Sequence, residues 1–469
     1  MCDAPPAPPP RPRPRVAVTA LGCKVSAADA RLLESRLAAL ARDCELVPFP
    51  EPADVYVLFT CTVTHAADRE TRKQVSRLRR LYPAARLVLT GCLAEVGAAE
   101  AAAIPGVWRV ISHHRLAEIP ALLHEPEAGP PSVAPGAAPV ADARRPAVRS
   151  RSSRTDAREL PPTSPGALSP LRRGLDRPFL KVQDGCNTCC AYCILPRARG
   201  RARSRPVAEV LPELRRLEEE GAAEVVLTGI NLGSWGKDLR PASSLPALLE
   251  ELLAVTRLRR LRLSSLEPES LTPALLDLLA RAPALCHHLH VPLQSGDDEV
   301  LRRMGRPYDT RQYTEAVLAA AERLPGLGLG TDLIVGFPGE EREAHQRTVE
   351  LVGRLPFSYL HVFSFSPRRG TRAAALPDDV PPPEKRRRSR ELIALGEQAR
   401  DRAFARVLGQ PLEVLLERRP DPASGGRTGY SREYLPVLLP EAGTASGIVQ
   451  VQITGAVAGR LQGQLLEER

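Results

Sequence analysis

The sequence predicts an α/β protein in three parts: an N-terminal parallel α/β domain, a central partial (β/α)6 barrel, and a small all-β C-terminal barrel of OB-like type. Three observations carry that prediction. Strand-like and helical apolar periods alternate along most of the 469 residues, and βα alternation implies parallel sheets. A stretch from about Glu125 to Arg173, rich in Pro, Ala, Ser and Arg and without a sustained apolar period, interrupts the alternation as a linker would. From about Leu408 short strand-like runs between Gly-, Pro- and Ser-rich turns take over. The expected boundaries are a disordered tail at 1–14, the first domain at 15–124, the linker at 125–173, the central barrel at 174–407 and the last domain at 408–469.

In the first domain the strand-like runs are Val16–Ala20, Asp54–Phe59 and Arg86–Thr90. Each is followed at once by a loop with one cysteine: Cys23 in Leu21-Gly22-Cys23-Lys24-Val25, Cys61 in Thr60-Cys61-Thr62-Val63-Thr64, and Cys92 in Gly91-Cys92-Leu93. Strand C-terminal ends in an open α/β sheet share one edge, where ligands bind, so three thiols far apart in sequence can converge there. Any one of them alone reads as a small buried core residue. The recurrence of the same strand-loop context is what points to a site. Cys2 and Cys44 lack it and read as ordinary cysteines.

The central part shows six runs: Phe179–Val182, Glu224–Thr228, Leu258–Ser264, Leu289–Leu293, Leu329–Val335 and Tyr359–Phe365. Amphipathic segments separate them, with Val207, Val210, Leu211, Leu214 and Leu217 on one face of the first. Directly after the first run comes Asp184-Gly185-Cys186-Asn187-Thr188-Cys189-Cys190-Ala191-Tyr192-Cys193, in which Cys186, Cys190 and Cys193 form a C-x3-C-x2-C pattern. Barrel active sites lie at that strand-end face. A [4Fe–4S] cluster takes four cysteine ligands, so three thiolates on one loop leave one iron open to an outside ligand. A zinc knuckle and a reduced structural cysteine cluster are the rival readings, and Cys189 leaves the ligand choice ambiguous.

In the last part, Val414–Leu416, Leu435–Leu438, Ile448–Ile453 and Leu461–Leu465 suggest a small barrel of a type common among nucleic-acid-binding modules. The net charge of +10 and pI near 9.3 suit a polyanionic partner. Lysine occurs only at positions 24, 73, 181, 237 and 385, so a bias toward arginine explains part of the excess. The run Arg197–Arg205 follows the cysteine loop and could reach phosphates, whereas Lys385–Arg390 reads as a solvated helix face. Ten cysteines, three in one metal-type loop, argue for a reducing compartment rather than a disulfide framework. The Pro- and Arg-rich N-terminus lacks a signal-peptide core, and no run approaches the ~18 apolar residues of a membrane span. A soluble, cytoplasmic protein with no membrane partner is expected.

The cysteine spacing, with Tyr192 before the last cysteine, resembles the radical S-adenosylmethionine (SAM) superfamily, in which the open iron chelates the amino and carboxylate groups of SAM. Taken with the strand-end cysteines and the C-terminal barrel, nearly the whole chain resembles the radical SAM methylthiotransferases. That resemblance implies an auxiliary [4Fe–4S] cluster on Cys23, Cys61 and Cys92, a SAM cluster on Cys186, Cys190 and Cys193 as the catalytic centre, and a C-terminal TRAM domain. Further blocks match: Leu227-Thr228-Gly229-Ile230-Asn231-Leu232-Gly233, Arg262-Leu263-Ser264-Ser265-Leu266-Glu267-Pro268, His290 to Gly296, and Thr331 to Glu340. They imply Tyr192, Thr228, Gly229, Asn231, Ser265, Glu267 and Gln294 as residues around SAM, with Glu267 placed to accept from the ribose hydroxyls. Turn formation and a solvated loop acid are the bland alternatives.

The segments around Cys23 and Cys61 resemble the subgroup acting on N6-threonylcarbamoyladenosine beside the anticodon of tRNA. Ser26, Asp29 and Phe59 depart from that pattern, which usually has Asn, Glu and Asn there. The resemblance implies that a 5′-deoxyadenosyl radical abstracts hydrogen from C2 of the adenine, that the auxiliary cluster presents sulfur methylated by another SAM, and that a methylthio group results. Reaching C2 requires splaying the base from the anticodon stack. An electron donor such as flavodoxin or ferredoxin is implied; the sulfur source, tRNA species and oligomeric state are not. The alternatives are a methylthiotransferase for another tRNA adenosine or for a ribosomal-protein aspartate, and a non-catalytic zinc-stabilised RNA-binding protein.

Overall fold

Residues 13–40, 43–123, 125, 132–133 and 177–466 are described by the structure, a computed structural model. Residues 1–12 of the expected tail, Cys2 among them, and most of the expected linker lie outside the described residues. The chain divides into two units, Met1–Arg172 and Arg173–Arg469.

The first unit is built on a parallel sheet of β1 (Arg15–Leu21), β2 (Glu45–Leu46), β3 (Val55–Thr60), β4 (Arg86–Gly91), β5 (Val107–Val110) and β6 (Ser132–Val133), in the order β2-β1-β3-β4-β5-β6. All of β3 is buried, because helices cover both faces of such a sheet and its strands read as unbroken apolar runs. The helices are α1 (Lys24–Ala39), α2 (His65–Leu81) and the short α3 (Cys92–Val96), α4 (Ala98–Ala102) and α5 (Ile119–Leu122). The Thr64 hydroxyl caps α2 by accepting from the Ala67 N–H at 3.2 Å, which satisfies an otherwise orphan donor of the first turn. The two-residue β6 pairs with β5 from within the stretch expected as linker.

The second unit opens with β7 (Phe179–Lys181), the hairpin of β8 (Gln183–Asp184) and β9 (Arg203–Ser204) around α6 (Leu195–Arg199), and α7 (Val207–Glu219). Then β10 (Glu224–Thr228), α8 (Leu245–Val255), β11 (Arg260–Leu263), α9 (Pro273–Arg281), β12 (His288–His290), α10 (Asp298–Met304), α11 (Thr310–Arg323), β13 (Gly328–Val335), α12 (Arg342–Arg354), β14 (Tyr359–Ser364) and α13 (Pro382–Ala405) follow. Two three-stranded parallel sheets, β11-β10-β7 and β12-β13-β14, meet at the Leu261–Leu285 bridge and where the Leu266 N–H donates to the His290 carbonyl at 2.9 Å. They form the expected six-stranded partial barrel, with Leu227, Leu261, Leu263, Leu289 and Leu333 in its core. The run expected at Leu289–Leu293 forms a strand only to His290. Beyond it Pro292 has no N–H to pair, and Gln294 turns the chain at a left-handed φ of 69°.

The C-terminal strands β15 (Pro411–Pro420), β16 (Arg427–Ser431), β17 (Pro436–Leu439), β18 (Gly447–Val457) and β19 (Arg460–Leu465) close a barrel in the order β15-β16-β17-β19-β18. The third and fifth strands run parallel, the Greek-key connectivity of the OB class. The solvated face expected at Lys385–Arg390 needs correction. Lys385 and Arg388 are buried, Lys385 pairing with Asp378 and Arg388 with Glu340 at 2.8 Å, so only part of that run faces water.

Charge joins the two barrels of this unit. Glu224, fully buried, accepts from Arg262 Nε at 2.6 Å and lies 3.5 Å from Arg260 Nη1. The guanidinium groups continue to backbone carbonyls of the last domain: Arg262 to Arg432 at 2.8 Å, and Arg260 to Glu413 at 2.6 Å. The Tyr434 ring stacks on Tyr430 and lies 4.6 Å from the His288 ring. Burial alone would raise the Glu224 carboxyl, yet Arg262 holds it below the usual range. Replacing Glu224 with Ala strands the buried Arg262, while Arg260 keeps Glu413 at 2.8 Å, and is expected to cost about 3–5 kcal/mol. Denaturant unfolding followed by fluorescence checks this, with a loss well under ~1 kcal/mol contradicting it.

Candidate functional site

The Cys186–Cys193 loop is anchored by one carboxylate. Asp184 accepts from the Gly185 N–H at 2.9 Å, from Lys181 Nζ at 2.9 Å and from Arg199 Nη1 at 3.4 Å. Burial would raise its carboxyl, but Lys181 and Arg199 keep it below the ordinary range and therefore ionised. Gly185 sits at φ 70°, and a Cβ there would lie 2.0 Å from the Arg201 carbonyl oxygen; only glycine permits this turn. Across the loop, Cys186 N–H donates to Gly200 at 3.1 Å, and the Asn187 side chain accepts from Ala202 N–H at 3.0 Å.

The three thiols of the pattern lie within electrostatic reach of one another. Burial pushes the Cys193 thiol up to about 12 and raises Cys190 too, against the lowering effect of Arg306. Arg306 Nη1 donates to the Cys190 sulfur at 3.2 Å, its Nη2 donates to Glu267, and its Nε donates to Tyr308 at 3.0 Å. Its side chain is 3% exposed. A buried cation among thiols fits a site whose ligands must bind as thiolates, which a positive neighbour favours. Cys189 is exposed, with its sulfur 3.9 Å from the Asn187 carbonyl.

The expected SAM neighbours fall into two groups. Asn231 joins the loop: its N–H donates to Gln183 Oε1 at 2.9 Å and its amide nitrogen lies 4.0 Å from the Cys186 sulfur. Gly229 packs against Gln183, which a Cβ would approach to 2.8 Å. Glu267 joins through Arg306, and Tyr192 packs edge-on to Phe337. The others show no side-chain link to the thiols: Thr228 is buried at the end of β10 with its carbonyl accepting from Val182 N–H at 3.0 Å. Ser265 is half-buried after β11, and Gln294 ties its backbone to Asp332 at 2.8 Å and Ile334 at 2.9 Å. In the Arg197–Arg205 run, Arg199 is committed to Asp184 and Arg205 to Glu213 at 2.8 Å; Arg197 bonds the Gly370 carbonyl at 2.8 Å, while Arg201 and Arg203 are exposed.

In the first unit the register places Leu21 beside Thr60 and Thr60 beside Gly91. Cys23, Cys61 and Cys92 therefore leave three adjacent strands at one edge, each within two residues of that aligned row. Cys61 and Cys92 are buried, and Cys23 is half-buried with its sulfur 3.5 Å from the Ser26 hydroxyl. Ser26, Asp29 and Phe59 are themselves buried. Cys44 is buried apart from the row, its thiol reaching the Leu37 carbonyl at 3.8 Å.

Sequence reasoning missed two features. Arg306 lies far along the chain from Cys190, and nothing in its local Gly-Arg-Pro context distinguishes it from the many other arginines. The second is a group of His290, Asp332 and His361 on β12, β13 and β14, whose ligand-type atoms all lie within 4.8 Å of one another. Two of these residues stood in matching blocks, but only strand pairing reveals that all three meet.

Residues 180–352 match the radical SAM superfamily, and residues 15–111 match the Uncharacterized protein family UPF0004. The chain is 32% identical over 454 residues to the threonylcarbamoyladenosine tRNA methylthiotransferase MtaB of Bacillus subtilis (strain 168), covering 96% of each. It is 34% identical to the protein of the same name from Aquifex aeolicus (strain VF5), covering 86% of this chain and 92% of that one. It is also 31% identical to the tRNA-2-methylthio-N(6)-dimethylallyladenosine synthase of Moorella thermoacetica, covering 95% and 97%. Among solved structures, the radical SAM methyltransferase TsrM of Kitasatospora setae shares the fold with a TM-score of 0.51 at 18% identity, over 74% of this chain and 72% of that one. Among the described residues, no helix is long and apolar enough to cross a membrane.

The Arg306 contact generates an expectation about an iron–sulfur cluster held by these thiols. A hydrogen bond from a charged donor contributes ~1.5–3 kcal/mol, equivalent to roughly 60–130 mV for one electron. Arg306→Gln removes the positive charge and is expected to lower the cluster's reduction potential by that order. An EPR-monitored redox titration measures it, and an unchanged or higher potential would contradict the role.

Proposed function

The chain belongs to the radical SAM methylthiotransferases, and from that premise we propose that it methylthiolates C2 of N6-threonylcarbamoyladenosine beside the anticodon of tRNA. The family implies a [4Fe–4S] cluster and SAM. In this reading Cys186, Cys190 and Cys193 hold the SAM cluster, and Cys23, Cys61 and Cys92 hold a second, auxiliary one. A cluster bound by Cys186, Cys190 and Cys193 would supply the electron for reductive cleavage of SAM. Asp184 fixes the loop that carries the thiols, Arg306 compensates their charge and orients Glu267, and Asn231 and Glu267 bind SAM.

Identity alone does not choose the substrate, because relatives named for dimethylallyladenosine are nearly as similar as those named for threonylcarbamoyladenosine. The observation that carries the choice is the pair of segments Leu21–Val25 and Cys61–Thr64, which follow the threonylcarbamoyl subgroup at two of the three strand-end cysteines. The exposed Arg201 and Arg203 and the C-terminal barrel are the proposed RNA contacts, a ferredoxin or flavodoxin the proposed electron donor, and the cytoplasm the proposed location.

Anaerobically reconstituted protein is expected to be brown with about eight irons, from two four-iron clusters. Cys92→Ala should lose roughly half of them, and Cys190→Ala should abolish 5′-deoxyadenosine formation; retained cleavage would refute the ligand assignment. Mass spectrometry of tRNA nucleosides from deletion and complemented cells tests the substrate. The methylthio derivative of N6-threonylcarbamoyladenosine should vanish on deletion and return on complementation, and unchanged levels would sink the tRNA reading.

A further inference from the structure

His290, Asp332 and His361 line the inner face of the sheet β12-β13-β14. Asp332 is the direct register partner of His361, and Tyr359, His361 and Phe363 alternate along β14 and so share one face. Asp332 Oδ1 accepts from His290 Nε2 at 2.9 Å and from His361 Nδ1 at 3.1 Å. Behind them, the Tyr359 hydroxyl lies 3.1 Å from His290 Nδ1 and 2.8 Å from His288 Nε2. One proton arrangement satisfies every contact: His288 donates to Tyr359, Tyr359 to His290, and both His290 and His361 to Asp332. The Tyr359 ring also occupies the space a side chain on Gly330 would need, since a Cβ there would lie 2.0 Å from it.

That arrangement fixes two groups for a ligand. Asp332 Oδ2 and, with Nδ1 carrying the proton, His361 Nε2 are hydrogen-bond acceptors that take no partner from the described residues. Asp332 is 25% and His361 41% exposed, so a ligand can reach them. Despite burial, the two imidazoles keep the Asp332 carboxyl well below its usual range. Asp332 also lies within electrostatic reach of Glu267, which is bonded to Arg306 beside Cys190. The acceptor pair and the cysteine loop therefore share one barrel lumen, on opposite sheets.

We infer that Asp332 and His361 form the polar subsite that reads the N6 substituent of the substrate adenosine, accepting N–H or O–H bonds from a carbamoyl-type group. This rests on the function proposed above and supplies its selectivity. A ureido group offers N–H donors and a threonyl group adds a hydroxyl, its own carboxylate having to lie away from Asp332, whereas a prenyl chain offers no donor and would leave Asp332 Oδ2 and His361 Nε2 without partners. Sites built to hydrogen-bond a substrate group reject analogues lacking it far more strongly than apolar pockets discriminate by size.

The test uses reconstituted full-length protein and two anticodon stem-loop RNAs, one carrying N6-threonylcarbamoyladenosine and one N6-isopentenyladenosine. His361→Leu should reduce kcat/KM for the threonylcarbamoyl RNA roughly 100-fold, mainly through KM, and weaken its binding without altering the EPR signal of the reduced SAM cluster. His361→Gln, which keeps an acceptor, should recover most of the loss, and Asp332→Asn should narrow the preference between the two RNAs. Turnover and binding by His361→Leu equal to wild type overturn the inference while leaving the function intact. Wild-type protein that modifies only the isopentenyl RNA overturns both. One equivalent of bound Mn2+ that disappears in His361→Leu, with RNA selectivity unchanged, assigns the three residues to a cation instead and also overturns it.

Discussion

The guanidinium of Arg306 lies between the Cys190 sulfur and the Glu267 carboxylate, and the polar organisation of the central barrel's mouth follows from that position. Partly buried thiols resist ionisation, as the raised Cys193 shows, and a buried carboxylate does the same. One cation serves both. Burial still leaves Glu267 above its ordinary range, with Arg306 opposing the shift. The contact also links β11, which leads to Glu267, to the segment after α10, which supplies Arg306. Those elements belong to the opposing halves of the barrel, so the same charge that favours thiolate helps set the shape of the lumen.

The barrel divides its duties between the two ends of its strands. Glu224 and Arg260 are the first residues of β10 and β11 and, with Arg262, clamp the C-terminal barrel through buried charge. Gly229, Asn231, Glu267 and the cysteine loop follow strand ends at the opposite face, where barrel enzymes keep their chemistry. A substitution at Glu224 is therefore expected to act on stability, and one at Arg306 on the charge beside the Cys190 sulfur. The first unit repeats the logic in an open sheet, with its three cysteines beyond the aligned Leu21, Thr60 and Gly91.

The strand-end cysteines were legible because a covered parallel strand is apolar throughout and ends abruptly at a Gly- or Thr-containing loop, as Val55–Thr60 and Arg86–Gly91 do. In the central barrel β10 reads the same way, whereas β11 and β12 carry the buried Arg260, Arg262, His288 and His290 among their leucines. The polar strand Arg427–Ser431 was not legible, since Arg-Thr-Gly-Tyr-Ser carries no apolar alternation and is specified by pairing with its neighbours. Lys385 and Arg388 read as solvent-facing because charge is usually exposed; Asp378 and Glu340, which bury them, come from other segments. Arg306 and the His290–Asp332–His361 group share that limitation. Their neighbours are brought together by the closure of the sheets, and sequence spacing carries no trace of it.

In the proposed function, Cys186, Cys190 and Cys193 leave one iron of a cluster open, and SAM is its outside ligand. Electron–nuclear double resonance on the reduced, reconstituted protein with SAM labelled by 15N at its amino group measures that directly. The account predicts a 15N hyperfine coupling from a nitrogen bound to the cluster, absent in Cys190→Ala. A reduced four-iron signal that shows no 15N coupling at saturating SAM would contradict it.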